Sequence, residues 1–259
     1  MHPRMDVTTD GMLGGRLMIT QPRTGYRAGA DAALLAAACG AAPGARVIEA
    51  GCGVGAALLA AAARQPSARF IGIEIDLFLV ELGQANITSN GMIGRVCILR
   101  GDVAAPFSEL GQPVFDGALA NPPFFDDPGA LRGPSLAKTR AWISREGLAV
   151  WIAFLTRAVR QGGEVTLIHR ADRLADLLGL LSGKCGSIQV RPIHSFADEP
   201  AKRVLVRAIK TGKGPLRLLP PLVLHERSGS KHTEQAERLL RGETALSWFS
   251  DRAAAPARE

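Results

Sequence analysis

Between Arg46 and His169 short β-branched runs alternate with longer helical patterns, a rhythm open to few architectures. Arg46-Val-Ile-Glu-Ala50 reads as a strand, and an Ala- and Leu-rich helix follows from about Gly55 to Arg64. Arg69 to Ile75 is a second strand and Leu77 to Asn90 a second helix, closed by Asn90-Gly91. Val96 to Asp102 and Phe115 to Ala120 supply the third and fourth strands. A helix from about Glu146 to Arg160 stops at Gly162-Gly163 and leads to a fifth strand, Glu164 to His169. The pattern predicts an α/β fold built on a doubly wound, mostly parallel sheet. Ser187 to His194 and Arg203 to Lys210, joined through Asp198-Glu-Pro200, would finish a seven-stranded sheet as an antiparallel edge hairpin. Gly15 to Gln21 reads as a strand and Asp31 to Ala42 as a helix. Leu222 to His225 adds a short strand and Thr233 to Arg241 a helix. The expected division is an N-terminal extension over 1–45, a central domain over 46–217 and a C-terminal extension over 218–259.

Composition excludes several classes. Hydrophobic content of 47% and charged content of 21% fit a globular chain and not a disordered one. No apolar run is long enough for a membrane-spanning helix, and Met1-His-Pro-Arg-Met-Asp lacks the apolar core of a signal peptide, so a soluble cytoplasmic protein is expected. Cys39, Cys52, Cys97 and Cys185 are far apart, which suggests small buried thiols and neither zinc ligands nor disulfides; no metal is expected. The net charge of +7 favours an anionic partner, nucleic acid first. From Ala201 to Glu259 there are 12 Lys or Arg against 6 Asp or Glu, so much of the excess lies late in the chain.

Two short words carry the chemistry. Glu49-Ala-Gly51-Cys-Gly53-Val-Gly55 falls where the first strand turns into the first helix. Glycines there permit a tight turn and close approach of a ligand to the backbone, as in dinucleotide sites, so the turn alone leaves NAD and S-adenosylmethionine open. Glu49 suits the cationic amino acid part of S-adenosylmethionine and would repel a pyrophosphate. Glu74, near the end of the second strand, can accept from both ribose hydroxyls. Asp102, after the third strand, is placed to accept from an adenine amino group. Each acid could also be an ordinary strand-end residue.

Asn121-Pro-Pro-Phe124 follows the fourth strand. The prolines fix the backbone and bias Asn121 toward an extended shape. The Asn121 side chain and the Pro122 backbone then form a preorganised pair of carbonyls, with the Phe124 ring beside them. Such a pair can grip both N–H bonds of an amino group conjugated to a ring or carbonyl. Its delocalised lone pair is thereby turned toward an electrophilic methyl. Phe124 would stack on a planar substrate such as an extruded base.

Together these residues resemble the class I, Rossmann-like S-adenosylmethionine-dependent methyltransferases with an (Asn/Asp)-Pro-Pro-aromatic motif, over about Arg16 to Lys210. Tyr26-Arg-Ala-Gly-Ala-Asp-Ala-Ala-Leu-Leu35 and His169-Arg-Ala-Asp-Arg-Leu174 narrow the likeness. With them the chain is similar to the bacterial tRNA adenine-N6 methyltransferases that modify the adenosine beside the anticodon of a valine tRNA. The resemblance implies that Glu49, Gly51, Gly53, Glu74 and Asp102 hold S-adenosyl-L-methionine, and that Tyr26 and Asp31 border its pocket. It implies that Asn121, Pro122 and Phe124 meet the target. Many family members carry Tyr where this chain has Phe124; stacking survives that change and any hydroxyl-dependent role does not.

The segment Asp126 to Arg145 brings Arg132, Lys138 and Arg140, which would hold phosphates or merely face solvent. Arg203, Arg207, Lys210, Lys213 and Arg217 would form a second phosphate track, with Arg203 and Arg207 on one face of their strand, or a solvated edge. The expected reaction is methylation of adenine N6 in RNA, most naturally tRNA, by a monomer or homodimer. The alternatives are a protein glutamine-N5 methyltransferase, whose amide suits the same carbonyl pair, and a non-catalytic S-adenosylmethionine- or RNA-binding protein.

Overall fold

The computed structural model describes residues 6–24, 27–123, 145–229 and 231–249. It opens with a hairpin of β1 (Val7–Met12) and β2 (Leu17–Pro22), a two-stranded sheet of its own. The main chain path then runs α1 (Ala30–Ala38), β3 (Arg46–Ala50), α2 (Ala56–Arg64), β4 (Arg69–Glu74), α3 (Leu77–Ser89), β5 (Val96–Arg100) and β6 (Phe115–Ala120). After these come α4 (Arg145–Ala158), β7 (Val159–Arg170), α5 (Leu174–Ser182), β8 (Cys185–His194) and β9 (Arg203–Lys210). The two-residue strands β10 (Arg217–Leu218) and β11 (Leu222–Val223) and the helix α6 (Glu234–Leu240) follow.

Seven strands lie in the order β5-β4-β3-β6-β7-β9-β8, with β3 to β7 parallel and β9 antiparallel to both its neighbours. The hairpin expected at the edge is therefore present, but β8 is not the last strand. β10 and β11 both pair with β8 in parallel and extend the sheet to nine strands. Their two-residue length leaves too little hydrophobic periodicity to predict them from sequence.

Period-two alternation splits the core into two layers. Val47, Phe70, Val96 and Ile98 point toward α1, α2 and α3; Ile48, Ala50, Ile73 and Phe115 point toward α4 and α5. Leu58 and Leu59 of α2 and Phe154 and Leu155 of α4 are essentially solvent-free, each worth about 2 kcal/mol of burial. Several boundaries differ from the sequence reading. The pair Gly162-Gly163, expected to stop a helix, lies inside β7, whose pairing with β6 shifts register between Phe115 and Gly117. The helix α1 ends four residues early, ahead of Pro43. The hairpin strand β1 carries no core alternation and was not predicted. Cys97 is exposed on the outer strand β5, whereas the other three thiols are buried as expected; all four are free.

The C-terminal segment straps onto this core. Leu246 N–H donates to Ala37 O at 2.9 Å and Trp248 Nε1 to Ala38 O at 2.9 Å. The Gln189 amide clasps the backbone of Phe249 in both directions, at 2.8 and 3.0 Å. No helix among the described residues is long and apolar enough to cross a membrane.

Candidate cofactor and methyl-transfer site

The parallel register places the two sequence motifs side by side. Ala50 pairs with Ile73 on one flank and with Ala120 on the other. The next residues, Gly51, Glu74 and Asn121, therefore leave adjacent strands at the same, C-terminal edge, where ligands of open α/β sheets bind. Strand spacing of about 4.8 Å sets their separation.

The glycine turn is built by backbone constraints. Gly51, Gly53 and Gly55 have φ of 59°, 55° and 82°, a region L side chains rarely adopt. Cys52 N–H donates to Ile73 O at 3.0 Å, and Gly55 N–H to Cys52 O at 2.9 Å. The Cys52 side chain folds against Gly72 of β4, where a Cβ would come within 2.5 Å of the sulfur. The glycines do different work. A Cβ at Gly51 would sit 2.1 Å from the Trp151 ring of α4, while a Cβ at Gly53 would meet nothing within 4 Å. Both glycines meet the expected turn requirement through their positive φ; beyond that, Gly53 leaves open space at its Cβ position and Gly51 is closed off by the Trp151 ring.

Glu74 is locked into the turn. Its Oε2 accepts from Gly53 N–H at 2.9 Å, and its Oε1 from Ile75 N–H at 2.9 Å and Asp76 N–H at 3.0 Å. Burial raises its pKa, and the hydrogen bonds from Asp76, Gly53 and Ile75 oppose that rise. Glu49 lies deeper, 3% exposed, with Oε2 lacking any hydrogen-bond partner among the described residues. Burial pushes its pKa up to about 8, a hydrogen bond from Leu58 N–H in the first turn of α2 pulls the other way, and the nearby Glu74 charge adds to the rise. Asp102 caps its own turn through Ala104 N–H at 2.8 Å.

Asn121 is half-buried and Pro122 buried at the end of β6. Tyr26, Phe124, Arg132, Lys138 and Arg140 lie outside the described residues. The remaining predicted residues are elsewhere engaged. Asp31, in the first turn of α1, pairs with Arg203 at 3.0 Å. Arg207 pairs with Glu164 at 2.6 Å and lies over the Trp248 ring. Of the expected phosphate track, Arg203 and Arg207 are thus neutralised by carboxylates on neighbouring elements. Alternation could not reveal this, because Asp31 is 172 residues from its partner.

Three positions that hold the turn were missed. Asn86 of α3, 1% exposed, donates to Val54 O at 3.1 Å and to Thr20 O at 2.9 Å, and accepts from Thr20 N–H at 2.9 Å. It ties β2, α3 and the turn together. Gly72 and Trp151 act through the contacts already given. A polar residue within an apolar helical repeat was the available signal for Asn86. A cavity of about 420 Å³ opens at the opposite end of the sheet, around Ala45, Asp116 and Glu164, and shares no residue with the turn. No group of three or more His, Cys, Asp or Glu among the described residues is arranged to hold a metal ion.

The methyltransferase small domain family model matches residues 28–133, which contain the glycine turn and the Asn-Pro-Pro-Phe word. A tRNA1(Val) (adenine(37)-N6)-methyltransferase of Porphyromonas gingivalis is 30% identical over 198 residues, 73% of this chain and 77% of the relative. The chain belongs to this methyltransferase family. As an S-adenosylmethionine-dependent methyltransferase it has a close structural likeness in a solved protein from Agrobacterium tumefaciens described as a predicted O-methyltransferase. The two share a TM-score of 0.71 and 26% identity over 83% of this chain and 98% of the other. A ribosomal protein uL3 glutamine methyltransferase of Bradyrhizobium diazoefficiens is 27% identical over 139 residues, 51% of this chain and 43% of that relative.

The residues present fit the cofactor of this methyltransferase family. A buried carboxylate with an unserved oxygen, an open glycine backbone and a fixed second carboxylate converge at one edge of the sheet.

Proposed function

We propose that this methyltransferase acts on the exocyclic N6 of an adenine in RNA, with tRNA near the anticodon as the substrate. The observation that carries the reading is the register of Ala50 with Ala120, which sets Asn121 next to the glycine turn. The relative matched over most of its length acts on tRNA1(Val) adenine 37 by its name, and supports the choice of RNA.

Bound S-adenosylmethionine would supply an electrophilic methyl on a sulfonium. Glu49 would hold its ammonium group, the open Gly53 backbone would leave it room, Glu74 would accept from the ribose hydroxyls and Asp102 from the adenine amino group. The Asn121 side-chain carbonyl and the Pro122 backbone carbonyl take the two N–H bonds of the target amino group. That grip favours a pyramidal nitrogen with its lone pair directed at the incoming methyl, and the two dipoles stabilise the positive charge that develops there. Pro122, buried and with φ fixed by its ring, holds its carbonyl without reorganisation. Phe124, outside the described residues, is the aromatic that would stack on the extruded base. The site is cytoplasmic, where tRNA is.

The test is label transfer from methyl-labelled S-adenosylmethionine to bulk tRNA from a strain lacking the gene, with nucleoside mass spectrometry of the product. Label in N6-methyladenosine is expected. Label in a release factor or ribosomal protein, and none in tRNA, would move the assignment to glutamine-N5 methylation, the reaction class of the shorter match.

A further inference from the structure

The two ends of the sheet differ in how their cations are used. At the C-terminal edge arginines meet carboxylates: Arg170 pairs with Asp172, Arg203 with Asp31 and Arg227 with Asp198. The N-terminal edge is built otherwise. Arg46 of β3 and Arg69 of β4 are direct register partners, and Arg95 comes just before Val96, which pairs with Phe70 on the far side of β4. Three arginines thus stand at the start of adjacent strands, about 4.8 Å apart from strand to strand. Farther across the same edge Cys185 pairs with Lys210; Lys184 precedes that pair and Lys213 follows it. None of these six makes an ion pair among the described residues. The two acids that the strands place here are already taken, Asp116 by Arg160 at 2.8 Å and Glu164 by Arg207 at 2.6 Å. Arg95 and Lys210 reach backbone carbonyls, Ala62 O and Val159 O, each at 2.7 Å. Arg69, Lys184 and Lys213 are exposed and make no side-chain hydrogen bond among the described residues. Like charges set directly opposite on neighbouring strands are destabilising. Solubility calls for net charge and not for a row in register.

We propose that this N-terminal edge is an RNA-backbone contact surface, which holds phosphates of the substrate remote from the base being methylated. The assignment rests on the RNA reading above. Arg69 and Glu74 are the first and last residues of β4, so the row lies about 17 Å from the cofactor edge at about 3.3 Å per residue. Arg100 stands between the two. It is the exposed register partner of Glu74 and ends the outer strand β5, whose start follows Arg95. A polyanion that offers one base to the C-terminal edge finds little uncompensated positive charge there among the described residues, and its phosphates need a second surface.

The experiment uses the full chain, methyl-labelled S-adenosylmethionine and tRNA from a strain lacking the gene. In a variant combining Arg69→Ala, Lys184→Ala and Lys213→Ala, KM for tRNA should rise about tenfold or more while kcat stays within about twofold. The slope of log K against log salt should fall by about two units. S-adenosylhomocysteine affinity should stay within about twofold of wild type. A charge-keeping variant, Arg69→Lys with Lys184→Arg and Lys213→Arg, should behave as wild type. Unchanged KM and slope in the alanine variant, with tRNA still methylated, overturn the surface as an RNA contact, leave it to an acidic protein and keep the RNA reading. Equal losses in both variants would make the residues structural and overturn it too. Should the triple variant fold poorly, the single variants decide: each should lower the slope by about one unit, and no change overturns the assignment. A wild type that labels a protein and not tRNA removes the RNA reading, and the proposal with it.

Discussion

The Glu74 carboxylate and the Gly53 amide are joined by a 2.9 Å hydrogen bond that links the end of β4 to the turn after β3. With Ile75 and Asp76 N–H on the other oxygen, Glu74 shapes the turn, and in the proposed site it would also accept from the ribose hydroxyls. Replacing it by Gln opposes an amide NH2 to a backbone N–H donor. Glu74→Gln should lose about 1–3 kcal/mol of stability and bind S-adenosylhomocysteine at least tenfold more weakly. Urea unfolding and calorimetry measure the two effects; unchanged affinity would confine Glu74 to a structural role.

Gly51 and Gly53 should separate cleanly. Gly51→Ala combines a positive φ with a Cβ 2.1 Å from the Trp151 ring, and should cost about 2–5 kcal/mol. Gly53→Ala carries only the φ penalty, about 1–2 kcal/mol, since nothing lies within 4 Å of its Cβ. Its S-adenosylhomocysteine affinity should nevertheless fall by tenfold or more, because the proposed cofactor site uses that open space. Paired melting curves and binding isotherms test this ordering.

Glu49 makes stability depend on pH in an unusual direction. Its folded pKa, about 8, lies above the ordinary carboxylate value of 4.5, so the folded state holds the proton more tightly. The stabilisation is complete below about pH 4.5 and is lost as pH rises through about 8. Glu49→Gln should remove this slope and raise the melting temperature of the ligand-free protein by a few degrees at pH 8. A cationic ammonium beside Glu49 would favour the carboxylate, so S-adenosylhomocysteine should bind wild type more tightly as pH rises from 6 to 8, with proton release. A flat profile would argue against that contact.

Asn121→Ala should keep S-adenosylhomocysteine binding within about threefold and lose methyl transfer by at least 10²-fold, in line with removal of a preorganised acceptor. Normal turnover in a single-turnover assay would exclude the amino-gripping role.

Arg203 and Arg207 should matter little for RNA. Each is paired, with Asp31 at 3.0 Å and Glu164 at 2.6 Å, and neither is free to neutralise a phosphate without breaking that pair. Arg203→Ala should leave the slope of log K against log salt within about half a unit of wild type. A reduction near one full unit would restore it to the contact surface.

How much of this was legible in the chain depends on the range of the interaction. The strand-turn-helix rhythm from Arg46, the glycine turn and the Asn-Pro-Pro-Phe word are local, and they determined the fold class, the methyltransferase family and Glu49, Glu74 and Asn121 as site residues to test. Backbone geometry explains why, since periodicity, positive φ and proline restraint all act within a few residues. The tertiary structure alone decided what depends on distant partners. It assigned Gly51 to Trp151, 100 positions away, and Gly72 to Cys52; it closed Arg203 onto Asp31 and set Asn86 beneath Val54. Side-chain type suggests what a residue can do, but pairing and burial are fixed only when the sheet register brings remote strands and helices into contact.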